Sequence, residues 1–436
     1  MSTMQGLRIR LNDTVVGYLA HQSTGANIFV FADEYIAAGP TRPVLGQMFI
    51  DPNGDEGRTI EMLQEAYVNR QIVPPFFSNL LPEGVLREHA ARELKLSEDN
   101  EFEILGAFGS KLPGAVVAEP VILDDIPDRL RSNHKGREFM PGEAPVPFSL
   151  GGSQLKFSMF RSNGMFTLDT GAAEAEYIVK PPHPLHAHVP VNEYVSMRLA
   201  AAAGLNVPEV LLLPLSAVDT SQIPHLGFPR EEGYAYAIRR FDRTSDGRRI
   251  HIEDFAQVFG VYASEEYSAT NYDTMMRAIY ALPHGKDDLM EFVGRLLVNA
   301  LLANGDAHLK NHSLIYSDGM TPRLAPLYDV VSTQPYIRPD MNESAALNLG
   351  KTKDFADYDA DRFDYAARRG GIDRALVRSA VAQTLDRAMS TWPTLFRELE
   401  VPTFMWARLQ SHWRRLRPTL AAVGNVIGNA KQRTES

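Results

Sequence analysis

The stretch Asn304-Gly305-Asp306-Ala307-His308-Leu309-Lys310-Asn311 collects a carboxylate, an imidazole, an ammonium and two amides directly after an apolar run and before the strand-like Ser313–Tyr316. Asp306 and Asn311 are five residues apart. A loop carboxylate can take the proton of an attacking hydroxyl, and an amide oxygen shortly after it can hold a hard cation; protein-kinase catalytic loops use this spacing. Eighteen residues beyond Asn311, Asp329 follows the apolar Leu327-Tyr328, read as a short strand. One amide oxygen and one carboxylate suffice for Mg²⁺, which fills the rest of its octahedron with water and phosphate oxygens. Asp306 alone reads equally well as a helix-terminal loop residue. The three together point to phosphoryl transfer.

That chemistry also needs a cation at the phosphates. Lys180 ends the run Glu176-Tyr177-Ile178-Val179, and Glu193 lies on a helix expected from Val191, so the two match the strand lysine and helix glutamate of kinases. Glu174 and Glu176 are also near Lys180 in sequence, and a strand-end lysine has ordinary structural uses. Upstream, Ser149-Leu150-Gly151-Gly152-Ser153-Gln154-Leu155-Lys156 offers paired glycines whose N–H groups can approach phosphate oxygens, with Ser153 and Lys156 adding a hydroxyl and a charge. A hairpin turn uses the same residues. The chain has no GxxxxGK motif ending in Ser or Thr, which disfavours a Walker-type site. Arg239, Arg240 and Phe241 stand where a two-lobed kinase passes between lobes, and their backbone could meet adenine, while Asp242 and Arg243 could pair. A strand end with solvated charges is the alternative. His308 and His312 are four apart but sit in a glycine-interrupted loop without the glutamate of a zinc-hydrolase helix, so His308 is expected to brace the loop by hydrogen bonding.

The periodicity supplies the elements that position these residues. Residues 1–122 read as a small α+β subdomain, with strands at Leu7–Leu11, Val15–Leu19 and Asn27–Phe31 and helices at Thr59–Ala66, Gly84–Leu94 and Glu101–Leu105. The Pro- and Asp-rich residues 123–147 read as a linker. Residues 148–245 form a β-rich nucleotide-binding lobe, with strands at Leu155–Met159, Met165–Leu168, Tyr177–Val179, Glu209–Leu213 and Gly233–Arg240 around a helix at Val191–Ala203. Residues 246–430 form a mostly helical catalytic lobe, including Tyr272–Leu282, Asp287–Ala303, Ile372–Ala388 and Thr403–Val423. The expected fold class is α+β, two-lobed and protein-kinase-like.

The 44 basic and 54 acidic residues give a net charge of −10, which argues against a large non-specific nucleic-acid surface. The absence of cysteine excludes disulfides, thiolate metal sites and a cysteine nucleophile, and fits a cytoplasmic protein. Neither a signal sequence nor a membrane span is read from the sequence.

With these residues in hand, the chain resembles the HipA family of serine/threonine-protein kinase toxins over nearly its whole length. The resemblance is carried by Phe76 to Gly84, Leu112 to Val116, Ser149 to Lys156, Tyr177 to Pro181, Asn192-Glu193-Tyr194, Arg240 to Arg243, His251 to Phe255, Gly305 to Asn311 and Tyr328-Asp329. It implies ATP and Mg²⁺ as cofactors, Asp306 as catalytic base, and Asn311 and Asp329 as metal ligands. It further implies that Gly151, Gly152, Ser153, Gln154, Leu155, Lys156, Lys180, Arg239, Arg240, Phe241, His308, Lys310 and Asn311 surround the nucleotide. Ser149 would be an inactivating autophosphorylation site, since a phosphate there adds close to two negative charges beside a site meant for those of ATP. The implied partners are a HipB-like helix-turn-helix antitoxin, DNA reached only through it, and an aminoacyl-tRNA synthetase as substrate, whose modification would halt translation and favour growth arrest or persistence. Lys111 stands where relatives are expected to be acidic, and Gly152-Ser153 where a single glycine and an apolar residue are expected. A kinase-shaped corepressor and a small-molecule kinase are the competing readings.

Overall fold

The computed structural model describes residues 5–122, 127, 130, 137–139, 154–168, 175–219, 232–399 and 401–435. They fall into two compact units. The first is drawn from Met1–Pro147, Asp242–Ala269 and Ser313–Pro322, the second from Phe148–Phe241, Thr270–His312 and Arg323–Ser436.

In the first unit, β1 (Gln5–Leu11), β2 (Thr14–His21), β3 (Asn27–Phe31), β4 (Tyr67–Asn69), β5 (Val116–Val121) and β6 (Arg137–Glu138) form a sheet of order β5-β1-β2-β3-β4-β6. The alternation of β1 explains its place: Leu7, Ile9 and Leu11 are buried, while Arg8 and Arg10 reach Glu119 of β5 at 3.1 and 3.2 Å. Helices α1 (Asp33–Ala37), α2 (Glu56–Gln64), α3 (Pro75–Ser78), α4 (Gly84–Leu94) and α5 (Glu101–Phe108) accompany the sheet, over a core that includes Phe29, Phe31, Phe49, Tyr67, Phe76 and Phe77.

Two segments from later in the chain complete this unit. They carry β12 (His251–Asp254) with α7 (Phe255–Phe259), and β13 (Ser313–Tyr316), which pairs with β12 in the register His251↔Tyr316. Asp242 Oδ2 accepts from Gly114 N–H at 3.0 Å and from Arg243 at 2.9 Å, so the expected ion pair forms and also grips the turn before β5. Arg249 donates to the carbonyls of Ser110 (2.6 Å), Leu112 (2.5 Å) and Gly114 (2.8 Å). That turn is therefore held through its backbone, and Lys111 within it is exposed. Gly114 has φ +63°, and a Cβ there would lie 2.8 Å from Ile252 N, so only glycine fits.

The second unit has a five-stranded sheet of order β10-β11-β9-β7-β8, built from β7 (Phe157–Ser162), β8 (Met165–Leu168), β9 (Tyr177–Lys180), β10 (Val210–Pro214) and β11 (Tyr234–Arg239). Helix α6 (Val189–Ala202) follows β9. The remaining elements are α8 (Tyr272–Tyr280), α9 (Gly285–Leu302), β14 (Arg323–Leu324), the hairpin β15 (Ser344–Leu349) and β16 (Thr352–Asp354), α10 (Ala360–Gly370), α11 (Arg374–Glu398), α12 (Thr403–Trp413) and α13 (Pro418–Glu435). From Phe292 to Leu302 every residue of α9 is buried, as befits a helix apolar on nearly all sides. Trp392 Nε1–H donates to Leu199 O (2.9 Å), Trp413 Nε1–H to Leu301 O (2.7 Å) and His412 Nε2–H to Ala300 O (2.7 Å). These bonds fasten α11 and α12 to α6 and α9.

Some elements differ from expectation. The helix expected over Thr403–Val423 is two, because Pro418 has no N–H to continue the first and instead opens α13. The helix expected over Ile372–Ala388 begins after the Asp373 cap and continues through Pro393 to Glu398. The strand expected at Leu155–Met159 starts two residues later, at Phe157. Leu327-Tyr328 is not a strand, since Leu327 N–H makes a lone bond to Asn206 O (2.8 Å) where a strand would make a ladder. No helix among the described residues is long and apolar enough to cross a membrane.

Burial holds His412 down to about 4, against an ordinary value near 6.5. The unfolded chain takes up this proton below about pH 6.5, the folded chain only near 4, so His412 favours the folded state above that window and loses this contribution as pH falls through it. The stability difference between wild type and His412→Asn is expected to be constant above pH 7. It should shrink by about 1.4 kcal/mol per pH unit on acidification. Urea unfolding at a series of pH values checks this, and parallel curves would contradict it.

Candidate active site

β9 ends at Lys180, and its register against β11, Lys180↔Tyr236, buries that end of the strand. The ammonium is neutralised from two directions: Nζ lies 2.7 Å from Glu193 Oε1 and 2.5 Å from Asp329 Oδ1. Glu193 is within reach because α6 starts early, with Pro190 in its first turn, which places Glu193 one turn into the helix. Asp329 arrives on a backbone with φ +55°, a costly conformation for a non-glycine residue and one that clusters at functional sites.

Burial is the largest influence on Lys180 and would pull it down, but Asp329 and Glu193 together outweigh it and hold the ammonium above its ordinary range. Burial dominates at Glu193 and, offset only in part by Lys180, pushes the carboxyl up to about 7. Asp329 resists its own burial because Lys180 and the exposed Lys156 keep it below the usual carboxylate range. Sharing one ammonium, the two carboxyls are thus pushed in opposite directions, Glu193 up and Asp329 down.

The loop after α9 is closed by its own polar atoms. Asp306 N–H donates to Asn304 Oδ1 (3.1 Å), and Asp306 O accepts from His308 N–H (2.8 Å) and from Asn311 Nδ2 (2.6 Å). The five-residue spacing lets Asn311 close this ring, which commits its amide nitrogen and leaves the carbonyl oxygen as donor for a cation. His308 Nδ1 accepts from Lys310 N–H at 3.3 Å, the bracing contact expected of it, and Lys310 O accepts from Tyr328 Oη at 2.8 Å. Tyr272 Oη donates to Ala307 O (2.8 Å). Asp306 itself is only 4% exposed.

Arg239, Arg240 and Phe241 leave β11 with two N–H groups already committed, Arg239 to Glu209 O (2.9 Å) and Arg240 to Glu176 O (2.7 Å). Of the three, Phe241 N–H alone makes no backbone hydrogen bond among the described residues. Its ring lies 5.7 Å from that of Tyr328. Leu155 is buried, and the buried Gln154 Nε2 has no hydrogen-bond partner among the described residues, an orphan that a phosphate oxygen would satisfy. Ser149, Gly151, Gly152 and Ser153 lie outside the described residues. The donor set of one carboxylate, one amide oxygen and nearby ammonium groups fits Mg²⁺ with a polyphosphate.

Sequence reasoning gave Asn192 no role beyond its place in a family-like stretch, and passed over Thr333. Both are buried polar residues bonded to the backbone around the site; an asparagine with a serine one turn on, in an otherwise largely apolar helix, was the available signal.

The fold is a protein-kinase-like α+β core preceded by an α+β subdomain. Residues 148–392 match the HipA-like C-terminal domain and residues 7–119 the HipA N-terminal domain. Y4dM of Sinorhizobium fredii is 38% identical over 389 residues, covering 88% of this chain and 91% of its own. The serine/threonine-protein kinase toxin HipA of Shewanella oneidensis is 25% identical over 382 residues, 79% of this chain and 78% of that one. The solved complex of Shewanella oneidensis HipA, HipB and operator DNA contains a chain of the same fold, with TM-score 0.65, 21% identity and 99% of both chains covered. The chain belongs to the HipA family of kinase toxins.

Removing the ammonium by Lys180→Met would leave Glu193 and Asp329 facing each other without the cation bonded to both. We expect a loss of about 3 kcal/mol in urea unfolding at pH 8. The loss should be smaller at pH 6, where Glu193 takes up a proton; equal losses would show that Glu193 does not titrate in this range.

Proposed function

We propose that this chain is an ATP- and Mg²⁺-dependent protein serine/threonine kinase acting as the toxin of a HipBA-like pair. The observation that carries this reading is the convergence of Lys180, Glu193 and Asp329 through bonds of 2.5 and 2.7 Å in a chain that also presents the closed Asp306–Asn311 loop. Bound ATP and Mg²⁺ supply the transferable phosphoryl group and the charge that neutralises it. Asp306 accepts the proton of the incoming serine or threonine hydroxyl as its oxygen bonds to the γ-phosphorus and the bond to the β,γ-bridging oxygen breaks. Asn311 and Asp329 hold the metal, Lys180 and the 151–156 loop hold phosphates, and Arg239 to Phe241 line the adenine.

The finer parts of the proposal extend the family membership. The protein substrate is an aminoacyl-tRNA synthetase, Ser149 is the autophosphorylation site that silences the enzyme, and the partner is a helix-turn-helix antitoxin through which DNA is reached. All of this takes place in the cytoplasm. The net charge of −10 supports DNA contact through a partner over independent binding.

The test is to incubate the purified chain with Mg²⁺ and labelled ATP and to locate phosphate by peptide mass spectrometry. Phosphate on Ser149 in wild type, its loss in Ser149→Ala, and loss of transfer with retained ATP binding in Asp306→Asn are the expected outcomes. Wild-type ATP binding without any transfer would instead favour a corepressor that only binds. Activity retained in Asp306→Asn would remove Asp306 as base.

A further inference from the structure

Asn192 is fully buried and occupies the helix position immediately before Glu193. Its side chain meets the backbone of Ser332 as a neighbouring strand would: Nδ2 donates to Ser332 O at 2.8 Å, and Oδ1 accepts from Ser332 N–H at 3.0 Å. Ser332 lies three residues after Asp329. The first turns of α6 therefore hold both ends of one short path, Lys180 through Glu193 and the chain leaving Asp329 through Asn192.

The next residue carries the connection onward. Thr333 N–H and Oγ1 both donate to Ala303 O, at 3.1 and 3.0 Å, and Oγ1 accepts from Gly305 N–H at 2.8 Å. Ala303 closes α9 with φ +51°, and Gly305 directly precedes Asp306. A Cβ on Gly305 would meet Glu343 at 2.4 Å and Ser344 O at 2.7 Å, so the segment is confined on its other side as well. Two non-glycine residues with left-handed backbones, Ala303 and Asp329, each open a functional segment, and one chain of side chain–backbone bonds brackets both.

We infer that Asn192 and Thr333 are positioning residues, which fix the separation of Asp306 from Asp329 and Lys180 and thereby set the rate of phosphoryl transfer. The inference rests on the kinase reading above and goes beyond it, because neither residue faces nucleotide or metal through a described contact. Their effect is on alignment. Small misplacements of reacting groups are costly, on the order of a hundredfold for 1 Å.

Thr333→Val keeps the shape of threonine and removes the hydroxyl that joins Ala303 to Gly305, whereas Thr333→Ser keeps the hydroxyl. With Mg²⁺ and γ-labelled ATP, and phosphate counted both on the chain and as released product, Thr333→Val should lower kcat by roughly tenfold to a hundredfold. Its KM for ATP should change by less than about twofold, and Thr333→Ser should restore kcat to near wild type. A purely structural role would lower thermal stability without this split or this rescue. If Thr333→Val fails to fold, Asn192→Asp carries the same test, since it keeps the acceptor for Ser332 N–H and removes the donor to Ser332 O. A wild-type chain that transfers no phosphate sinks the kinase reading and this inference together. A wild-type chain that transfers, beside a folded valine or aspartate variant of unchanged kcat, sinks this inference alone.

Discussion

Lys180 is a charge taken out of water, and its two short ion pairs are the condition for the rest of the second unit. Burying an ammonium costs several kcal/mol unless carboxylates replace the lost hydration. Glu193 and Asp329 do so from different elements more than a hundred residues apart in sequence. β9 must therefore end beside α6, α6 must begin before Glu193, and the chain beyond β14 must bend back through a left-handed residue. The exposed Lys156 adds to the same field. Burial pushes the Glu193 carboxyl up while the neighbouring ammonium groups keep that of Asp329 below the usual range, so the two carboxylates meet Lys180 on unequal terms.

The two units differ in how they hold polar groups. Glu253 in the first unit is wholly buried and accepts from Gln47 N–H at 3.0 Å and from Tyr316 Oη, with no ion-pair partner among the described residues, and burial pushes it up to about 8. This carboxyl, joined to a phenol and a backbone amide, is a knot of hydrogen bonds that fixes β12 against β13 and the segment around Gln47. In the second unit the corresponding knot is ionic. The first is held by hydrogen bonds to a phenol and a backbone amide, the second by an ammonium shared between two carboxylates.

Much of this was legible in the sequence because the signals were local. The spacing of Asp306 and Asn311 reflects a hydrogen-bonded ring of six residues, and the strand run that ends at Lys180 followed by a helical period carrying Glu193 marks the two elements whose side chains meet. What was not legible depended on contacts with no local signature. Arg239 and Arg240 gave no sign that their N–H groups were already taken, because the acceptors are carbonyls of Glu209 and Glu176, and any residue provides a carbonyl. Asn192 and Thr333 are residue types common on surfaces, and only burial shows what their side chains hold. Thr403–Val423 reads as one apolar period in spite of Pro418, because α12 and α13 bury residues at the same spacing on either side of the break.

The division of the chain also could not be read in order along it. Asp242–Ala269 and Ser313–Pro322 belong with the first 147 residues, so the chain leaves the second unit and re-enters it twice. This bears on how the protein is made. As the ribosome works from the N-terminus, the six-stranded sheet can emerge early, but Asp242 and Arg249, which grip the turn at Gly114, and Tyr316, which closes on Glu253, are synthesised much later. The first unit is thus finished only after the loop from Asn304 to Asn311 has been made, and its completion is tied in time to the synthesis of the candidate catalytic loop.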